Sequence, residues 1–190
     1  MAWLNIPNFL TIVRIAASFL FLSLLIHENW PWALLVFSLA ALTDMVDGAL
    51  ARLLHQRTRL GGFLDPTADK FLMFCGFFVL TWKGIIPLWV TGIVLARDLM
   101  ITVGIFYFLA RKVTFAFRPT YLSKTTTLLQ IMTLFGYLCD LYRQAPLVTV
   151  NYVLPDWLFY LTVATAAITV TTGIQYIRIG WRILHETRIR

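Results

Sequence analysis

Charge is what this sequence has least of. Of its 190 residues only 13% are Asp, Glu, Lys or Arg, and only nine are acidic. Soluble domains carry roughly 25% charged residues and about 45–50% apolar ones. Here the apolar share is 59% and the mean hydropathy +0.77, which excludes an ordinary water-soluble domain and points to the integral-membrane class. Cysteine is almost absent. Cys75 and Cys139 both lie inside apolar runs and read as buried thiols, not as a disulfide framework or a metal site. His27, His55 and His185 are scattered without ligand spacing. The start, MAWLNIPNFLTIVRI, lacks a basic region followed by a small-residue cleavage site, so a removable signal peptide is not expected. There is no low-complexity run or internal repeat, and the length fits one domain, 1–190.

What the chain does have is long apolar stretches. A membrane helix needs roughly 20 mainly apolar residues. Six candidates occur, at Asn8–Ile26, Trp32–Leu53, Phe63–Trp82, Ile86–Ala110, Leu122–Leu141 and Trp157–Gly180, which predicts an all-α bundle of six membrane spans. Basic residues set its orientation. Arg52, Arg57, Arg59, Arg111, Lys112, Arg118, Lys124, Arg178, Arg182, Arg188 and Arg190 fall on one side; Lys83 and Arg143 fall on the other. This bias predicts that both termini face the cytoplasm. The net charge of +7 is thereby assigned to cytoplasmic loops and anionic headgroups, and nucleic acid is not expected as a partner. Trp30, Trp32, Trp82, Trp89, Trp157 and Trp181 fall near span ends, where an interfacial aromatic belt would put them.

Four of the nine acidic residues are concentrated between Asp44 and Asp69. Positions i, i+3, i+4, i+7 and i+8 share one helix face, and Asp44, Asp47, Gly48, Ala51 and Arg52 occupy them in order. Gly61, Asp65 and Asp69 follow at i, i+4 and i+8 on the next helix. Pro66 is tolerable only near a helix start, which predicts Asp65 in the first turn. With Arg57 to Leu60 as the connecting turn, the two helices would be antiparallel neighbours and their carboxylates would converge near the cytoplasmic ends. Four carboxylates in low dielectric repel unless protonated or neutralised. Hard divalent cations with oxygen ligands, Mg²⁺ or Mn²⁺, are the natural counter-charge. Two such ions about 3.5–4 Å apart would suit a site that clamps a phosphate. The bland alternative is a buried ionic network with Arg14, Arg52, Lys70 and Arg97, which rarely justifies its desolvation cost.

The stretch reads D-x2-D-G-x2-A-R-x8-G-x3-D-x3-D through Asp44, Asp47, Gly48, Ala51, Arg52, Gly61, Asp65 and Asp69. On that pattern the chain is identified as a member of the CDP-alcohol phosphatidyltransferases, which are similar in size and have six spans. The resemblance implies metal-dependent transfer of a phosphatidyl group from CDP-diacylglycerol to an alcohol, with release of CMP. It also implies a first metal on Asp44, Asp47 and Asp65, a second on Asp44, Asp65 and Asp69, and Asp69 as the base that deprotonates the acceptor hydroxyl. CDP-diacylglycerol would be met by Pro7, Asn8 and Thr11 at the start of the first span, by Gly48 and Gly61, and by Arg52 and Thr58. The family further implies a homodimer.

The acceptor is read from the later spans. NIPNFLTIVRI resembles the branch that makes phosphatidylglycerol phosphate or cardiolipin, and Arg97 and Lys124 are the candidate acceptor-binding residues. Synthases that use glycerol-3-phosphate tend to add a second arginine two turns after the first and a Gly-Lys-x-Lys-Thr box. Here position 105 is Ile, and the box reads Ser123-Lys124-Thr125-Thr126-Thr127. The run RPTYLSKTTTLLQ is closer to the eukaryotic-type cardiolipin branch, so the expected acceptor is phosphatidylglycerol, with glycerol-3-phosphate as the alternative. Arg97 pairing with Asp98, and headgroup snorkelling of Lys124, are the structural alternatives for those two cations. A membrane prenyltransferase and a divalent-cation transporter are the rival functions; one compact Asp cluster with basic neighbours counts against both. The expected location is a membrane, by default the bacterial inner membrane, with the site at its cytoplasmic face.

Overall fold

The computed structural model describes residues 6–54, 61–110, 120–144 and 154–188. They form six helices: α1 (Ile6–Ile26), α2 (Trp30–Leu54), α3 (Gly61–Trp82), α4 (Leu88–Ala110), α5 (Tyr121–Gln144) and α6 (Asp156–Arg188). No strand occurs among the described residues. α4 over Leu88–Phe108 and α6 over Asp156–Ile183 are long and apolar enough to cross a membrane; Val13–Ile26, Trp30–Thr43 and Lys70–Trp82 are shorter apolar segments. Most boundaries fall within three residues of expectation, and two differences matter. α6 continues eight residues past Gly180, because Arg178 and Arg182 end the apolar run without breaking the helix. α3 begins at Gly61, so Asp65 falls in its second turn, and Pro66 has no N–H to give to the Gly62 carbonyl.

The chain divides into two compact units, Met1–Ile85 with Leu134–Tyr152, and Ile86–Thr133 with Val153–Arg190. In the first, α1 packs against both α2 and α3. Its buried stripe is Arg14, Ser18, Phe21 and Leu25, at the spacing of one helix face. Phe21 meets Phe37 of α2 at 5.6 Å, and Phe19 meets Phe71 of α3 at 5.3 Å between ring centroids.

One end of this unit is held by two matching helix stops. After α1, Asn29 N–H bonds the Leu24 carbonyl and Glu28 N–H the Leu25 carbonyl, with Glu28 at φ 59°. After α3, Ile85 N–H bonds the Leu80 carbonyl and Gly84 N–H the Thr81 carbonyl, with Gly84 at φ 74°. Both are Schellman stops, in which a left-handed residue satisfies the last carbonyls. Lys83 joins them: its Nζ lies 2.6 Å from Glu28 Oε1 and 3.2 Å from the Ile26 carbonyl. The same ammonium sits 5.9 Å from the Trp30 ring centroid. Trp30 is buried, at 4% exposure, and so does not present the exposed ring that its position near a span end suggested. Trp32, Trp82, Trp89, Trp157 and Trp181 are exposed, as a belt requires.

In the second unit α4 packs against α6, and a hydrogen-bonded seam joins α5 to α6. Thr126 and Thr172 hydroxyls approach to 2.6 Å, Gln130 Nε2 and Thr169 to 3.5 Å, and Thr133 and Thr165 to 2.7 Å. All six are buried. Phe106, Leu128 and Val170 are exposed, so this unit carries polar groups inside and large apolar groups outside.

Candidate active site

The candidate residues of the first unit lie on described helices, with only their backbone described at 6–12, 44–54 and 61–69. Their placement follows from two measurable things, level and register. The Lys83 staple fixes one end of all three helices. At 1.5 Å per residue, Thr11 lies about 22 Å along α1 from Ile26. Asp44 lies about 21 Å along α2 from Trp30, and Asp69 about 21 Å before Lys83 along α3. The three positions thus lie at similar distances along their own helices from that end. One step further, Gly48 and Asp65 both lie about 27 Å from the staple, and Arg52 and Gly61 about 33 Å.

Register adds the face. On α2 the buried positions Trp30, Ala33, Phe37 and Ala40 continue in steps of three and four to Asp44, Asp47 and Ala51. On α3 the buried positions Val79, Gly76 and Leu72 continue back to Asp69 and Asp65. On α1 the stripe Leu25, Phe21, Ser18 and Arg14 continues to Thr11 and Pro7. The same heptad-like spacing that builds the apolar interface thus carries the carboxylate positions on its extension. Asn8 lies one turn before Thr11 on α1. Thr58 and the Arg57–Leu60 turn lie outside the described residues.

The second unit places Arg97 and Lys124 differently from each other. Arg97 is the tenth residue of α4 and is buried, at 7% exposure. Its Nη1 donates to Asp98 Oδ1 at 2.6 Å and its Nη2 to Ser123 Oγ, also at 2.6 Å. The guanidinium carbon stands 6.0 Å from the centroid of the Tyr176 ring. The alternative of an Arg97–Asp98 pair is therefore realised, but within a larger cluster that sequence reasoning missed. Ser123 was visible only as the residue before Lys124, and Tyr176 carried no signal at all. Lys124 is exposed, its ammonium 5.9 Å from the Tyr121 ring centroid. Its first turn is built by Thr120, whose hydroxyl accepts the Ser123 N–H at 3.2 Å and contacts Gln175 Oε1 at 3.3 Å.

Chemically, the four aspartate positions of α2 and α3 carry oxygen donors of one charge, a set that suits Mg²⁺ or Mn²⁺. The α4–α5 cluster supplies a guanidinium, which suits an anionic phosphate.

The model of the CDP-alcohol phosphatidyltransferase family matches residues 4–175. A cardiolipin synthase (CMP-forming) of Streptomyces coelicolor is 42% identical over 106 residues, covering 53% of this chain and 49% of the relative. One from Rattus norvegicus is 32% identical over 192 residues, covering 93% of this chain and 61% of the relative. A CDP-diacylglycerol–glycerol-3-phosphate 3-phosphatidyltransferase of Aquifex aeolicus is 35% identical over 128 residues, covering 66% of this chain and 70% of the relative. The chain thus spans about half the length of the Streptomyces protein.

Proposed function

The chain belongs to the CDP-alcohol phosphatidyltransferase family, and we propose that it forms cardiolipin by transferring the phosphatidyl group of CDP-diacylglycerol to phosphatidylglycerol. The observation that carries this reading is the family match over residues 4–175, and the similar distances of Asp44 and Asp69 along α2 and α3 from the Lys83 end support it. Asp44, Asp47, Asp65 and Asp69 would hold two divalent ions. Those ions, when bound, supply positive charge against the diphosphate and the departing CMP. Pro7, Asn8, Thr11 and the small residues Gly48 and Gly61 leave room for the nucleotide beside the backbone, and Arg52 and Thr58 contact its phosphates and lipid.

In the reaction the primary hydroxyl oxygen of the acceptor attacks the phosphorus that carries diacylglycerol. A new P–O bond forms, the P–O bond to CMP breaks, and CMP leaves with the electron pair. Asp69 takes the hydroxyl proton, which a neutral alcohol must lose to become a nucleophile. Arg97 and Lys124 are the cations assigned to the acceptor.

The family match and the apolar outer surfaces of the helices support a membrane location. We extend this to six spans, both termini and the site at the cytoplasmic face of a bacterial inner membrane, and a homodimer. The cardiolipin synthases among the relatives favour phosphatidylglycerol as acceptor. The Aquifex relative gives the second reading, glycerol-3-phosphate, a specific basis. Purified protein supplied with CDP-diacylglycerol and each acceptor in turn tests the choice: cardiolipin as the main product supports the first reading, phosphatidylglycerol phosphate the second.

A further inference from the structure

Arg97 is a buried cation whose charge is already half spoken for. Asp98, beside it on α4, accepts from Nη1 at 2.6 Å, and Ser123 accepts from Nη2 at the same distance. A guanidinium has five N–H donors. Its Nε–H has no hydrogen-bond partner among the described residues. The cluster is also largely buried, with the Arg97 side chain 7% and the Asp98 side chain 21% exposed. Ser123 in the first turn of α5 meets α4 thirteen residues before its end at Ala110, a distance of about 20 Å along the helix. Tyr176 lies twelve residues, about 18 Å, before the end of α6. Ser123 is held at that depth by Thr120, Gln175 and the threonine seam below them.

A paired Arg and Asp present donors for an anion without net charge. A phosphodiester carries one negative charge, and a phosphomonoester about 1.5 to 2 at pH 7. At the Arg97 cluster the extra charge is opposed by the Asp98 carboxylate, and the second cation assigned to the acceptor, Lys124, is exposed, so its attraction is weakened by solvent. We propose that Asp98 is a specificity-determining residue: it neutralises Arg97 so that the acceptor site takes a singly charged phosphodiester and disfavours a doubly charged phosphomonoester. Ser123 is a positioning residue that fixes the guanidinium for either. The inference rests on the phosphatidyl-transfer reading above.

Three acceptor probes test it on the full-length protein: phosphatidylglycerol, glycerol-3-phosphate, and the monomethyl ester of glycerol-3-phosphate, which keeps the glycerol and has one charge less. The wild type should use the methyl ester over glycerol-3-phosphate by on the order of tenfold in kcat/KM. Asp98→Asn should bring that ratio close to one or invert it. Ser123→Ala should slow all three probes alike and leave the ratio unchanged. Equal use of the ester and glycerol-3-phosphate by the wild type would overturn the inference without any variant having to fold. So would an unchanged ratio in a monodisperse Asp98→Asn protein. If the wild type released no CMP with any probe, the transfer reading itself would fall, and this inference with it.

Discussion

The hydroxyls of Thr126 on α5 and Thr172 on α6 lie 2.6 Å apart while each also sits 2.8 Å from the carbonyl four residues before it. Two protons serve three oxygen–oxygen contacts, so one contact goes without a proton at any moment. Thr126→Val should therefore cost little, about 0.6 kcal/mol, the mean for such bonds between membrane helices. Each change removes one proton and so one hydrogen bond, and the Thr126→Val/Thr172→Val pair should cost about the sum of the two single changes. Unfolding in detergent micelles would measure this, and a double variant that costs no more than one single change would contradict the shared-proton picture.

Gly76 on α3 is packed against Leu134, and an added methyl group would overlap Leu134 Cδ2 and reach 3.0 Å from Cδ1. Leu134 is fully buried among the core side chains. Gly76→Ala should destabilise by about 1–3 kcal/mol, the usual cost of overpacking. Leu134→Ala in the same protein should return part of that loss. A Gly76→Ala variant as stable as the parent would show that α3 and this part of α5 are not in contact as described.

The two Schellman stops predict opposite responses to similar changes. Gly84→Ala should destabilise by about 1 kcal/mol, because a side chain at positive φ is strained. Glu28→Gly relieves the same strain but loses the exposed Lys83 pair, worth at most about 1 kcal/mol. Its net effect should be near zero. Thermal unfolding of both variants checks the contrast.

Asp69 carries the assigned proton-transfer role. Asp69→Asn keeps an oxygen donor and the side-chain shape but lacks a basic carboxylate. Turnover should fall by at least about a hundredfold, the low end of general-base contributions, while CDP-diacylglycerol binding is largely kept. Binding by isothermal titration alongside steady-state turnover separates the two, and retained turnover would remove Asp69 from that role.

Much of the architecture is legible in the chain because apolar length and helical spacing are local properties. The six helices, the common face of Asp44 and Asp47, and the spacing of Asp65 and Asp69 all come from counting residues. Features that depend on a distant partner are not legible in the same way. Ser123 finds Arg97 across 26 residues only because α5 starts midway along α4. Trp30 looks like an exposed interfacial tryptophan, but it is buried beside Lys83. Glu28 in a left-handed stop has no sequence signal, since glycine or asparagine usually marks that place. Lys83 bonding the Ile26 carbonyl and Glu28 across more than 50 residues is another such feature.

Metal-dependent phosphatidyl transfer is tested most directly by CMP release from the purified protein in micelles of CDP-diacylglycerol and phosphatidylglycerol. CMP and cardiolipin should appear in equal amounts with Mg²⁺ or Mn²⁺, vanish after chelation by EDTA, and return when the metal is restored. CMP release that is indifferent to EDTA, or none with any acceptor and either metal, would contradict it.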